Sequence, residues 1–252
     1  MTSLRERVLE VRLFGRSCRE LVYPWYVRAY PYLFGVQHFE FEGRRYRYMF
    51  HPYGATIRGE RVVEIPIAWV EVQRRRGQRI LEVGNVLRHY FECTHDVVDK
   101  YEAANGCVNV DILEFEPEAP YDFIVSISTV EHIGWNAYEK EPERAVLALR
   151  RMKGLLRPGG GMLVTMPWGA NPVIDAYLQS PACLFDRMCY MRRTSRRNTW
   201  IQADASATSG ARYWQPYPFG NVLILGYVDG DQRPVSSAEG VGHALRRKTT
   251  RG

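Results

Sequence analysis

Between Ile80 and Pro167 short apolar runs alternate with a stretch of helical period, and this alternation restricts the fold more than any other feature of the chain. RILEVG, THDVVDK, CVNVDILEF and YDFIVSIS each read as a strand closed by a glycine or polar turn. PERAVLALRRMKGLL places apolar residues at helical spacing behind Pro142; RPGGG follows as a turn and GMLVTMP as a fifth strand. Strands alternating with helices predict an α/β fold: a mostly parallel, Rossmann-like sheet in three layers with right-handed crossovers. In such sheets ligands sit at the carboxyl ends of the strands.

The flanks read differently. Residues 2–16 predict an amphipathic helix with Leu4, Val8, Val11 and Leu13 near one face, while residues 21–35, rich in Tyr, Trp and Pro, give no clear pattern. QHFEFEGRRYRYMFHPYG alternates and predicts a hairpin turning at Glu42-Gly43. RVVEIPIAWVEVQRRRGQ predicts a short strand and then a helix, with Pro66 in its first turn and Gly77 past its end. Residues 169–213 break the strand–helix rhythm and read as an insertion, after which Val222–Leu225 return to strand character. The expected organisation is a helix and hairpin extension over 1–79 acting as a substrate lid, a core over 80–230, and a mobile tail over 231–252.

Composition narrows the function classes. No run of about 18 apolar residues is present, and MTSLRERVLEVRLFGR is too charged for a signal peptide, so a cytoplasmic protein without a membrane span is expected. Five cysteines without a C-x-x-C pair argue against a zinc ribbon or a disulfide framework. The net charge of +6 permits a nucleic-acid partner, but the excess is scattered arginine with four lysines in all, better suited to carboxylate or phosphate groups on a small substrate.

The first three expected strands carry an acid at or near the carboxyl end: Glu82, Asp99 and Asp111. Singly each is an ordinary loop acid. Together on one rim they suit an adenosine-containing ligand, with one acid accepting from a ribose diol and another from a purine amine. Pyrophosphate is disfavoured, because the loop after the first strand is Gly84-Asn85-Val86-Leu87 and lacks the glycines of a G-x-G-x-x-G turn.

ILEVG, VVDKYE, NVDI, YDFIVSISTVEHIG and LRRMKGLLRPGGGMLVTMP resemble the ordered motifs of class I S-adenosylmethionine-dependent methyltransferases. The chain is most similar to a bacterial subgroup associated with polysaccharide or natural-product biosynthesis, whose first motif also reads E-V-G-N-V-L. RVVEIPI, HPYG and GANPVID extend that resemblance outside the core. It implies S-adenosylmethionine as cofactor. Glu82 and Gly84 would lie beside its methionine part, Asp99 at the ribose hydroxyls, Asp111 and the Ile112 backbone at the adenine, and Ser126 and Ser128 along the floor, with Asn85 and Lys100 as further cofactor contacts. Asn85-Val86-Leu87 departs from the usual glycines of the family.

Methylation of a hydroxyl requires removal of its proton, which directs attention to Thr129-Val130-Glu131-His132 after the fourth strand. His132 is the candidate base, with Glu131 to orient it. Tyr53, Arg61, Glu64, Trp135, Trp168, Asn171, Arg193 and Trp200 are the candidate substrate contacts, since aromatic faces and guanidinium forks suit a sugar with an anionic group. No metal is expected; the residues that would form a Mg²⁺ site are His132, Asn171 and Asp175. The leading expectation is O-methylation of a sugar or natural-product hydroxyl. The alternatives are N- or carboxyl-methylation, a non-catalytic scaffold, and an RNA methyltransferase suggested only by the basic pI.

Overall fold

The structure, a computed structural model, describes residues 22–104, 106–135 and 139–230. Seven strands form one sheet in the order β4-β3-β5-β6-β9-β7-β8: β3 is Ile80–Val83, β4 Asp96–Val98, β5 Tyr121–Ile127, β6 Leu156–Pro167, β7 Arg187–Arg193, β8 Trp200–Ala203 and β9 Val222–Val228. β4, β3, β5 and β6 pair in parallel, while β9, β7 and β8 add antiparallel. This is the expected Rossmann-like α/β sheet.

Strand periodicity divides the core into two faces. Ile80, Val125, Ile127, Leu163, Leu223 and Leu225 point to one face, where they meet helix α2 (Arg61–Gln73) and the hairpin of β1 (His38–Phe41) and β2 (Arg44–Arg47). Leu81, Val83, Ile124, Met162, Val164 and Ile224 point to the other, against α3 (Arg144–Gly154) and α4 (Pro172–Leu178). The hairpin turns at Glu42-Gly43 as its alternation predicts, pairing Phe39 with Tyr46. Residues 22–33, which resist reading from sequence, are helical (α1). The helix expected over 2–16 and the tail over 231–252 lie outside the described residues.

Four expectations need correction. RVV is not a strand; it begins α2, so Pro66 lies well inside the helix. A proline there leaves the carbonyl four residues back without its helical donor. That carbonyl, on Val62, accepts the Met49 backbone N–H instead at 2.9 Å. CVNVDILEF forms a single parallel bridge, Val98 to Val108, because the chain turns at once: Val110 N–H bonds back to Val108 O. RPGGG does not separate helix from strand but is absorbed into β6, where the register with β5 shifts between Tyr121 and Phe123. Residues 169–213 are not an irregular insertion: they supply α4, β7 and β8, with β7 paired between β9 and β8.

Phe39 lies 4.9 Å from Tyr48 and 5.4 Å from Tyr46, ring to ring, in the core that joins hairpin to sheet. Phe39→Ala is expected to cost ~3–5 kcal/mol of stability in urea unfolding; a loss below ~1 kcal/mol would mean that the hairpin is not part of that core.

Candidate active site

The carboxyl ends of β3, β4 and β5 open onto one cavity of about 520 Å³. Its wall includes Gly84, Asn85, Asp99, Lys100, Asp111, Ile112, Ser128 and His132, with Tyr53 and Arg61 from the N-terminal region. The volume falls within the range of about 300–1,000 Å³ usual for small-molecule sites.

The first loop is built on a left-handed glycine. Gly84 has φ +89°, and a side chain there would meet the Thr129 side chain at 2.2 Å. Beyond it the backbone donors turn inward. Val86 and Leu87 N–H both bond to Glu82 Oε1, at 2.8 and 2.7 Å, and Asn85 N–H bonds to Asp99 Oδ2 at 3.1 Å. In dinucleotide sites the corresponding donors face an anion; here carboxylates of the chain itself take all three. Glu82 is fully buried, and its Oε2 bonds to His95 Nε2 at 2.7 Å. It braces the loop from below and is absent from the cavity wall, contrary to the placement that the resemblance implies. Cys93 lies near Glu82 and His95, all three ligating atoms within 4.8 Å of one another, but the carboxylate–imidazole contact is already at hydrogen-bond length.

Asp99 Oδ1 accepts from Tyr101 and Glu102 N–H, both at 2.8 Å, which fixes the turn after β4. Glu102, unmarked in the sequence reading, also lines the cavity; its carboxylate takes Asn85 Nδ2 at 2.9 Å and pairs with His89. His89 in turn stacks on Tyr53 with ring centroids 3.9 Å apart. Asp111 accepts Leu113 N–H, Arg144 at 2.8 Å and Lys100 at 3.2 Å. Burial opposes its ionisation, but these donors outweigh burial and hold the carboxyl below its usual range. Lys100 also pairs with Glu139 at 2.5 Å, which raises its pKa further.

After β5 the chain enters strained backbone: Ser128, a non-glycine residue, has φ +39°. Its N–H bonds to Thr165 O and its hydroxyl donates to Glu64 Oε2 at 2.7 Å. Thr165 Oγ1 donates to the same oxygen at 2.8 Å. Glu64 is fully buried, and burial, with Glu60 nearby, raises its pKa to about 7 despite Arg61 and the two hydroxyls. His132 projects from the next turn with 65% of its side chain exposed, on the cavity wall. Crowding by the protein, and Arg61, lower its pKa. Glu131 points inward, 2% exposed, with its pKa raised well above the usual carboxylate value by burial; its nearest approach to the imidazole is 3.9 Å, too long to orient it by a hydrogen bond.

Other sequence candidates stand elsewhere. Ser126 is buried and donates to Val83 O, tying β5 to β3 instead of flooring the cavity. Asn171 caps α4, accepting from Val173 and Ile174 N–H, and its amide donates to Glu131 O. Asp175 accepts Gly169 N–H, and burial raises its pKa to about 6. Asp175 is thus engaged within its own segment, and Asn171 ties α4 to the turn that carries Glu131; the one cluster of His, Cys, Asp or Glu ligand atoms among the described residues includes neither His132 nor Asp175. Arg193 is buried and donates to the carbonyls of Arg58 and Pro218. Trp200 is buried with its indole N–H on Asn198 Oδ1. Trp168 packs on the α3–α4 side of the sheet, and Trp135 bridges to Lys140. None of the three tryptophans lines the cavity. Tyr101, Thr129 and Glu139 do; Tyr101 and Thr129 stand inside motifs of the resemblance without having been singled out, and Glu139 carries no sequence signal.

No family model matches the chain, and no curated protein matches it. Among solved structures it is similar in fold to the N-methyltransferase NodS from Bradyrhizobium japonicum WM9, at 14% identity over 65% of this chain and 94% of that one, with a TM-score of 0.35. The sugar N-methyltransferase KedS8 from Streptoalloteichus sp ATCC 53650 matches at 12% over 64% and 84%, TM-score 0.31. The CcbJ methyltransferase from Streptomyces caelestis matches at 12% over 65% and 88%, TM-score 0.33. Likeness at this level does not define an activity. Among the described residues no helix is long and apolar enough to cross a membrane.

A carboxyl whose folded pKa lies above its unfolded one stabilises the fold below the unfolded pKa and loses that contribution as pH rises through the folded pKa. For Glu64 the loss runs from about pH 4.5, the ordinary carboxyl value, to about pH 7, where it is nearly complete. Thermal unfolding of the protein is therefore expected to become easier as pH rises from about 4.5 to 7, and less so in Glu64→Gln; identical pH profiles would show that Glu64 takes up no proton on folding.

Proposed function

We propose that the protein is an S-adenosylmethionine-dependent methyltransferase acting on a small molecule or glycan. One observation carries the reading: a glycine with no room for a side chain, an acid at the end of β4 and an imidazole after β5 share one cavity whose loop N–H groups are already taken by carboxylates. A site with its anion-binding donors spent suits a nucleoside without phosphates. The cofactor supplies an activated methyl group on a sulfonium.

The chain's own residues then divide the work. Gly84 lets the backbone approach the ligand closely. Asp99, with each oxygen holding backbone donors, has acceptor capacity left for a ribose diol. The Ile112 backbone and Asp111 face the adenine end, where Lys100 at 3.2 Å is the contact that an amine would replace. His132, exposed on the wall, can accept a proton from an acceptor hydroxyl. Glu131, too far to orient the ring, is not needed for that step. Tyr53 and Arg61 lie on the same wall and are the substrate contacts retained from the sequence reading; Arg61 favours an acceptor with an anionic group. An imidazole on the wall supports O-methylation, and an amine acceptor is the second reading, since an amine needs no strong base.

Calorimetric titration with S-adenosylhomocysteine tests the cofactor assignment. Saturable binding is expected, weakened at least ~tenfold in Asp99→Ala, as loss of charge-assisted hydrogen bonds implies; an unchanged affinity in that variant would remove the ribose assignment. Once a methyl-labelled donor has revealed an acceptor, His132→Ala is expected to lower turnover by ~10²-fold or more while leaving cofactor affinity intact. Full turnover in His132→Ala would eliminate it as the base.

A further inference from the structure

Behind the cavity lies a charge imbalance that the reading above does not use. Three carboxylates are buried there, Glu60, Glu64 and Glu131, with 6%, 0% and 2% exposure. Arg61 is the cation that all three feel, and Arg193 acts on Glu60 alone. Tyr213 faces all three acids, Tyr90 faces Glu64, and His132 stands on the cavity side beside Glu131. Three carboxylates out of water cannot all ionise against so little positive charge, so the cluster holds protons at neutral pH.

Glu64 is the member connected to the cavity. Its Oε2 accepts the Ser128 hydroxyl at 2.7 Å, and Ser128 is on the cavity wall. Its Oε1 is buried without a hydrogen-bond partner, as is Glu131 Oε2. One hydroxyl thus separates a proton-holding carboxylate from the ligand space. A unit charge placed roughly 8 Å from such a group, at an effective dielectric of about 20, shifts its titration by one to two pKa units.

We propose that Glu64 exchanges a proton in step with the charge of the methyl donor, releasing it through Ser128 when a sulfonium occupies the cavity and recovering it when a neutral sulfide does. This rests on the S-adenosylmethionine reading. Across a turnover the donor's carbon–sulfur bond breaks with its electron pair left on sulfur, and the acceptor's new bond to carbon forms. The proton shed by a neutral acceptor goes to His132 and from that exposed imidazole to solvent, while Glu64 recovers a proton from solvent through Ser128 once the sulfide is in place, so the protons balance. The residue acts through Ser128 and touches neither ligand, so its signature is a proton count and not a contact.

The test is calorimetry of the full chain near pH 7 in two buffers of different ionisation enthalpy, with S-adenosylmethionine and S-adenosylhomocysteine as probes. Binding of the sulfonium is expected to release up to roughly half a proton more than binding of the sulfide. That difference should disappear in Glu64→Gln. In the wild type it should fade by about pH 9, where the carboxyl is already ionised, which gives a check independent of the variant. Equal proton counts for the two probes in the wild type, or a difference that survives in folded Glu64→Gln, would overturn the assignment to Glu64. Failure of both probes to bind would overturn the cofactor reading itself, and this inference with it.

Discussion

The Glu82 carboxylate holds the site in shape. One oxygen gathers the Val86 and Leu87 N–H groups, the other binds His95, and the whole group is removed from water. Burying a carboxylate is costly unless its oxygens are hydrogen-bonded, and both oxygens of Glu82 are, so the loop after β3 has little freedom to take another path. It also explains how one glycine suffices. Extra glycines let a loop wrap a phosphate; a loop that wraps an internal carboxylate needs only the residue at which the chain reverses, and Gly84 at φ +89° is that residue.

From this brace the rest of the cavity follows by register. β3 lies between β4 and β5 in parallel pairing, so the ends of all three strands reach the same rim. Asp99 is tied to the loop through Asn85 N–H, and Thr129 closes against Gly84. The strained Ser128 turns the chain away from the sheet and leaves His132 on the wall. The chemistry proposed here asks little more of the protein than this rim: placement, and somewhere for a proton to go.

The alternating apolar runs were enough to read β3, β4, β5 and β6 of the parallel half of the sheet and to put Asp99 and His132 just past strand ends, because strand ends are local features of sequence; Ser128 entered only through the family resemblance, and Asp111 through a strand that proved to be a single bridge. Glu82 read as a ligand contact since an acid at the end of a strand looks the same whether it faces the cavity or the loop beneath it; only the three-dimensional path of Val86 and Leu87 decides. Arg193 and Trp200 read as substrate contacts because exposure is not visible in a chain segment with mixed polarity; both are in fact buried, Arg193 on the carbonyls of Arg58 and Pro218 and Trp200 with its indole N–H on the Asn198 side chain. The strand content of 169–213 was hidden for a similar reason. β7 reads RMCYMRR, with arginines that snorkel or pair at its ends, so its buried alternation is masked by charge.

Pro66 gives the N-terminal region a mechanical part. By leaving the Val62 carbonyl free for Met49, it stitches the strand leaving the hairpin onto the first turns of α2. Those same turns carry Glu60, Arg61 and Glu64. Any shift of the hairpin is therefore passed on, by a backbone hydrogen bond instead of by loose side chains, to the helix that carries the guanidinium on the cavity wall and the acid behind it.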